Sequence, residues 1–299
     1  MTANKPGYSW WQIWLLASRP KTLWAALSPV VIGGAMALDA GPVHPTAWFA
    51  AAMGAILIQI GTNFANDLFD YQKETDTTKR IGPMRVTQAG LVSPHQMKIA
   101  TIAVFGLAFL VGIYLVYLGG WPIVIIGLAS IFCGIIYTAG PFPLGYNGLG
   151  DIFVLIFFGP VAAGGTYYVM TSTITPLAIL AGIPAGMLAT AILAVNNLRD
   201  IDTDAAGGKK TLAVRCGRTF TRVEYLVMVL VAALFPVGHY IVTRDHAWAM
   251  LAALCLLLAI VPFRRVFTIT DGAVLNETLA ATGRVMFVYS LLFSIGWLL

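Results

Sequence analysis

Charge is scarce in this chain. Only 13 acidic and 18 basic residues occur among 299, so charged residues make up 10% of the composition. A soluble domain carries about 25%. With 59% hydrophobic residues and a mean hydropathy of +0.82, the scarcity excludes an ordinary water-soluble fold. Cysteine is scarce too. Cys133, Cys216 and Cys255 are odd in number and lack CxxC spacing, which argues against a zinc site or a disulfide framework and leaves buried apolar cysteines. The short alternating segments that build membrane barrels are missing. A cleavable leader is not expected either. The first apolar stretch is broken by Arg19-Pro20-Lys21, whereas a leader needs an unbroken apolar core and a small-residue cleavage site. Trp10, Trp11 and Trp14 read instead as an interfacial anchor.

Long apolar runs are what the chain does have. A spanning helix needs roughly 20 such residues. Run length predicts about nine spans, near 22–39, 46–66, 98–117, 121–137, 150–170, 176–197, 223–242, 247–263 and 279–298. The expected fold is an all-α integral membrane protein, one domain over 1–299. Its helices surround a central cavity open to the cytoplasmic side and laterally to lipid. Two longer polar connections, 67–97 and 198–222, follow the second and sixth spans. With nine spans, 16 of the 18 basic residues fall on the side of the N-terminus and these two connections. Positive loops stay in the cytoplasm, so the N-terminus is expected inside and the C-terminus outside. The net charge of +5 is then a topology signal. No basic face with interleaved aromatics supports nucleic-acid binding.

The acidic residues are not spread evenly. Seven of the 13 lie in two short segments, NDLFDYQKETD at 66–76 and NNLRDIDTD at 196–204. Each ends a long apolar run. Residues four apart share a helix face. Asn66, Asp70 and Glu74 have that spacing, and so do Asn196, Asp200 and Asp204. Two such faces directed at one cavity make an all-oxygen ligand set, which selects Mg²⁺ or Mn²⁺ over zinc. Asp67 is one residue off the first face, and Asp76 fits it less well. Lys79, Arg80 and Arg85 follow the first segment, and Lys209, Lys210 and Arg215 follow the second. Carboxylates for metal and cations for phosphate oxygens together suit a diphosphate. Arg284 stands inside the last span, either as a functional group or as a partner of Glu277.

These segments resemble the UbiA-type superfamily of intramembrane prenyltransferases. The likeness covers nearly the whole chain. It runs through SRPKTLWAALSPVVIG at 18–33, NDLFDYQKETDTTKRIGPMRVTQAGLVS at 66–93, YTAGPFPLGYNGLGDIFVLIFFG at 137–159 and NNLRDIDTDAAGGKKTLAVRCG at 196–217. IGPMRVTQAG and NGLGD are similar to the branch that prenylates 1,4-dihydroxy-2-naphthoate on the route to menaquinone. The resemblance implies transfer of a polyprenyl group from a polyprenyl diphosphate, with Mg²⁺ and loss of diphosphate and carbon dioxide, in a prokaryotic-type inner membrane. It implies Asn66, Asp70, Asp200 and Asp204 as metal or metal-diphosphate residues, with Asp70, Asp200 and Asp204 catalytic. Asp67 and Asp76 also match the first motif, whereas the metal roles of Glu74 and Asn196 rest on spacing. Arg85, Lys209, Arg215 and Tyr137 match diphosphate contacts, and Arg19 and Lys21 match a basic segment that meets donor or acceptor. Pro141 stands where some relatives have a lysine, so a contribution from the 137–150 loop is open. Asp151 in NGLGD is either near the acceptor or a helix-start acid. The rival readings are a sister enzyme with another aromatic acceptor and a divalent-cation transporter. A carrier should hold its acids near the bilayer midplane.

Overall fold

A computed structural model describes residues 7–73, 82 and 84–299. Among the described residues there are helices and no strands. In chain order they are α1 (Trp10–Ser18), α2 (Pro20–Ala40), α3 (Pro45–Gln72), α4 (Pro94–Gly119) and α5 (Trp121–Ile136). Then come α6 (Gly150–Ile156) and α7 (Ala162–Thr171), joined by a π-helical turn at Phe157–Val161. They are followed by α8 (Pro176–Leu180), α9 (Ile183–Ala206) and α10 (Leu212–Thr243). A 3₁₀ stretch, Ala247–Leu254, leads into α11 (Cys255–Thr268), and α12 (Gly272–Leu298) closes the chain. Eight described stretches are long and apolar enough to cross a membrane, and α5 is a shorter apolar helix of 16 residues. Together they account for the nine expected runs.

Local chemistry sets the helix starts. Proline stands in the first turn of α2, α3, α4, α5, α8 and α9, where its missing N–H forfeits no bond. Ser93 and Gln96 form a reciprocal capping box on α4. Two helices outrun the apolar pattern. α3 continues to Gln72 and α9 to Ala206, so both acidic segments begin as helix rather than loop. α10 begins earlier than its apolar run and breaks at Gly217, where φ is +84°.

The helix α9 is the axis of the bundle. The apolar window of the α8–α9 stretch is 67% buried, against 17% for α4. Small residues allow this. Ala185, Ala189, Ala191 and Ala194 are all buried in the main core. Gly159 in the π turn has non-helical dihedrals and is followed by Pro160, two recognised causes of a kink. That kink seats α6 and the π turn directly on α9, while α7 packs on α2. A Cβ on Gly159 would stand 3.0 Å from Gly186 Cα, and one on Gly186 would collide with the Leu155 carbonyl. The outside of the bundle is as apolar as its core. Leu110, Ile125 and Leu257 are each at least 60% exposed, an arrangement suited to lipid and not to water.

At the far end, Trp297 Nε1 donates to Asp39 at 3.3 Å, and His246 Nδ1 lies 2.9 Å from the Trp297 carbonyl. This clasp ties α12 to α2. Arg284 is exposed, and Glu277 pairs with Arg265 at 3.1 Å rather than with Arg284. Replacing Gly186 with valine should push α6 off α9. Overpacking of this kind costs about 1–3 kcal/mol or more, so thermal unfolding in detergent should show a melting temperature several degrees lower. An unchanged melting temperature would count against the close helix contact.

Candidate active site

One cavity of about 620 Å³ lies among α2, α3, α4, α5, α7 and α9. Its mouth is polar and its body apolar. The mouth is lined by Asn66 and Asp70 from α3, Asn196, Asp200 and Asp204 from α9, and Arg85, Tyr137, Tyr146 and Lys209 from the intervening segments. Helical spacing brings each α3 and α9 set to one face. The structure therefore brings together most of the residues expected from sequence.

Asp70 is the hub on α3. Arg85 pairs with it, and the Tyr146 hydroxyl donates to it. Lys209 Nζ sits 3.8 Å from Asp70 and 3.5 Å from Asp204, so one ammonium spans the two acidic helices. On α9, Arg199 grips Asp200 through Nε at 2.8 Å and Nη2 at 2.5 Å. Its remaining donors reach Asn196 at 2.8 Å and Asn276 of α12 at 2.6 Å. The Arg199 side chain is fully buried. Removing its carboxylate partner strands a buried cation, at about 3–5 kcal/mol.

The loop between α5 and α6 supplies Tyr146. Glycines shape it. A Cβ on Gly145 would stand 2.7 Å from the Tyr137 ring, and one on Gly150 would stand 2.8 Å from the Tyr137 hydroxyl. Gly148 has φ +73°, a left-handed turn that suits glycine. Lys210 N donates to the Tyr146 carbonyl at 2.7 Å. The Tyr146 ring carries two ammoniums near its centre, Lys73 at 4.8 Å and Lys209 at 4.7 Å, within cation–π range. Lys73 also donates to the carbonyls of Thr138 at 2.7 Å and Gly140 at 3.3 Å. Burial lowers the Lys73 pKa and outweighs the opposing pull of Asp70, with the Lys209 charge lowering it further. Burial raises the Tyr137 phenol, helped by the charges of Asp151, Asp204 and Asp70.

Several expectations need correction. Asp67 is not at the mouth. Its two oxygens accept the backbone N–H groups of Val86 at 3.0 Å and Thr87 at 3.2 Å. It anchors the segment that carries Arg85, because one step along a helix turns a side chain by about 100°. Lys21 is exposed and outside the cavity lining. Arg215 is also outside it. Its guanidinium holds the carbonyls of Lys210 at 2.9 Å and Asn147 at 3.0 Å, so it braces the glycine loop. Asp151 is buried in the first turn of α6, away from the lining. Glu74 and Asp76 lie outside the described residues. Arg19 does line the cavity. It sits between α1 and α2 in a left-handed conformation, and Asn63 secures that corner by donating to Ser18 O at 3.0 Å and Thr22 Oγ1 at 3.1 Å.

Sequence reasoning missed Tyr146, Lys73 and the gripping role of Arg199. Arg199 carried a usable signal, a cation placed inside an acidic motif at the end of an apolar helix. Tyr146 stood beside NGLGD with no charge to mark it. Among the described residues, no three or more His, Cys, Asp and Glu side chains form a ready metal cluster. The carboxylates are held by the protein's own cations. The donor set is nonetheless all oxygen, from Asn66, Asp70, Asn196, Asp200 and Asp204, which fits a hard divalent ion that completes its shell with water and phosphate.

Two outcomes test this geometry. Asp67→Ala should raise the KM for a diphosphate ligand on the order of tenfold, since two buried N–H groups lose their acceptor. The metal concentration for half-maximal activity should stay unchanged, whereas a lost metal ligand would shift it. Tyr137→Phe should change activity by the same factor from roughly pH 6 to 9, because a phenol raised above its usual value near 10 stays protonated throughout. A factor that varies across that range would contradict a permanently neutral phenol.

The chain was compared with known proteins. The model of the UbiA prenyltransferase family matches residues 26–292. A Haemophilus influenzae protein named 1,4-dihydroxy-2-naphthoate octaprenyltransferase is 37% identical over 298 residues, covering 97% of this chain and 96% of that one. An Escherichia coli protein of the same name is 37% identical, with 95% and 94% covered. A UbiA homolog from Archaeoglobus fulgidus, solved bound to GPP and Mg²⁺, superposes with a TM-score of 0.64 at 14% identity. That superposition covers 94% of this chain and 99% of the homolog and shows a shared fold.

Proposed function

The chain belongs to the UbiA prenyltransferase family, and we propose that it transfers a polyprenyl group from an allylic prenyl diphosphate to 1,4-dihydroxy-2-naphthoate, giving a demethylmenaquinol. The observation that carries the acceptor is the 37% identity, across nearly the full length, to relatives named for that reaction. The polar mouth on an apolar cavity is its physical counterpart. A diphosphate head belongs at the mouth and an isoprenoid tail in the body. The basic bias of the chain supports a mouth on the cytoplasmic side.

Arg85 and Lys209 currently neutralise carboxylates. With a donor in place they turn to phosphate oxygens, which Lys binds as a point charge and Arg as a fork. Asn66, Asp70, Asn196, Asp200 and Asp204 would hold Mg²⁺, or Mn²⁺ with its similar oxygen preference, and the ion supplies charge neutralisation to the leaving diphosphate. The bond from the allylic carbon to oxygen breaks and its electron pair leaves with diphosphate. Phe153 and Phe157 stack at 6.2 Å and line the cavity beside the mouth. Their faces favour the allylic cation, and the apolar walls keep water from quenching it. The ring carbon that bears the carboxylate bonds to that cation. Its bond to the carboxylate then breaks, the electron pair returns to the ring and carbon dioxide departs.

Purified protein in nanodiscs with a prenyl diphosphate and dihydroxynaphthoate should release the demethylmenaquinol. Preference for homogentisate or 4-hydroxybenzoate would overturn the acceptor. Asp70→Asn and Asp200→Asn should each lower kcat at least about a hundredfold with near-normal melting temperatures. Asp200→Ala should also lower the melting temperature, because Arg199 loses its partner. Chelation should abolish turnover, and added Mg²⁺ should restore it.

A further inference from the structure

The body of the cavity has a level to which four helices each contribute a glycine. Gly54 of α3, Gly112 of α4, Gly127 of α5 and Gly165 of α7 all line it. Their heights agree. A Cβ on Gly54 would touch Val111 at 3.8 Å and Leu115 at 3.9 Å, the residues that flank Gly112. A Cβ on Gly165 would touch Ile126 at 3.7 Å, next to Gly127. Gly134 of α5 abuts Thr62 of α3. These helices run in the same direction, so two turns back along each places Gly127 beside Ala55. Around Gly112 and Gly127 no other atom lies within 4 Å of where a Cβ would stand. A side chain added there would meet no packed protein, and both glycines line the cavity.

The depth of this level has a consequence for donor length. Gly54 precedes Asp70 by sixteen positions on one helix, a rise of about 24 Å at 1.5 Å per residue. An isoprene unit adds four chain bonds of about 1.5 Å, so it extends the tail by roughly 5 Å. A tail whose diphosphate sits at Asp70 reaches the glycines after about five units. Shorter tails end above them and longer tails must pass between them. At this depth Phe109 and Ile113 of α4 and Leu128 of α5 line the cavity and are each more than half exposed. A longer tail therefore continues outward toward lipid instead of meeting a closed floor.

Resting on the prenyl-transfer reading, we infer that this glycine level is the length-selecting gate of the donor site: the absent side chains at Gly112 and Gly127 are what admit tails beyond about five isoprene units. The test compares geranyl diphosphate with a long-chain donor such as octaprenyl diphosphate, using the full-length protein in nanodiscs. Gly112→Phe and Gly127→Phe should keep kcat/KM for geranyl diphosphate within about twofold. For the long donor they should lower it about tenfold or more, the scale of an overpacking penalty. Gly112→Ala should give a smaller loss for the long donor alone, and it serves where the phenylalanine variants fail to fold. Equal losses for both donors, or no loss for the long one, would overturn the gate. Equilibrium binding of the two diphosphates reads the same contrast without turnover. Absence of turnover in the unmodified protein would therefore strike the proposed reaction, while length-independent binding by the variants would strike the gate.

Discussion

A single ammonium stands between the two acidic helices. Lys209 lies 3.8 Å from Asp70 on α3 and 3.5 Å from Asp204 on α9, and Arg85 and Tyr146 complete the hold on Asp70. Carboxylates brought this close at the edge of a low-dielectric interior repel strongly unless cations intervene. The arrangement lets α3 and α9 end side by side and fixes the width of the cavity mouth. It also keeps cations where a diphosphate would need them. Neutralising the acids and receiving the phosphate are then tasks of the same side chains.

The mouth depends on a scaffold that is itself unusually small-sided. Alanines and glycines along α9 bring neighbouring backbones close, and the kink at Gly159–Pro160 seats the fifth span against it. The result is a bundle whose packed half surrounds α9 and whose open half, near α4 and α5, leaves room for a tail. Supporting residues then set the chemistry. Asp67 anchors the Arg85 segment, Arg199 fixes Asp200, and Arg215 braces the loop that delivers Tyr146. Asp67 and Arg215 carry charges that sequence alone would place in the site, and all three residues act one layer behind it.

Much was legible before any fold was known. Apolar run length and hard oxygen spacing depend on local geometry, so the sequence by itself determined the helical spans, the two matched Asn-x₃-Asp faces and their membrane-edge placement. The tertiary structure decided which charges meet. It sent Asp67 and Arg215 to backbone groups, brought Tyr146 to the mouth with Lys73 over its ring, and aligned Gly54, Gly112, Gly127 and Gly165 at one depth. Those outcomes depend on distances between segments up to more than a hundred residues apart. Helical periodicity fixes direction within one element, and it is silent about the register between elements until packing sets it.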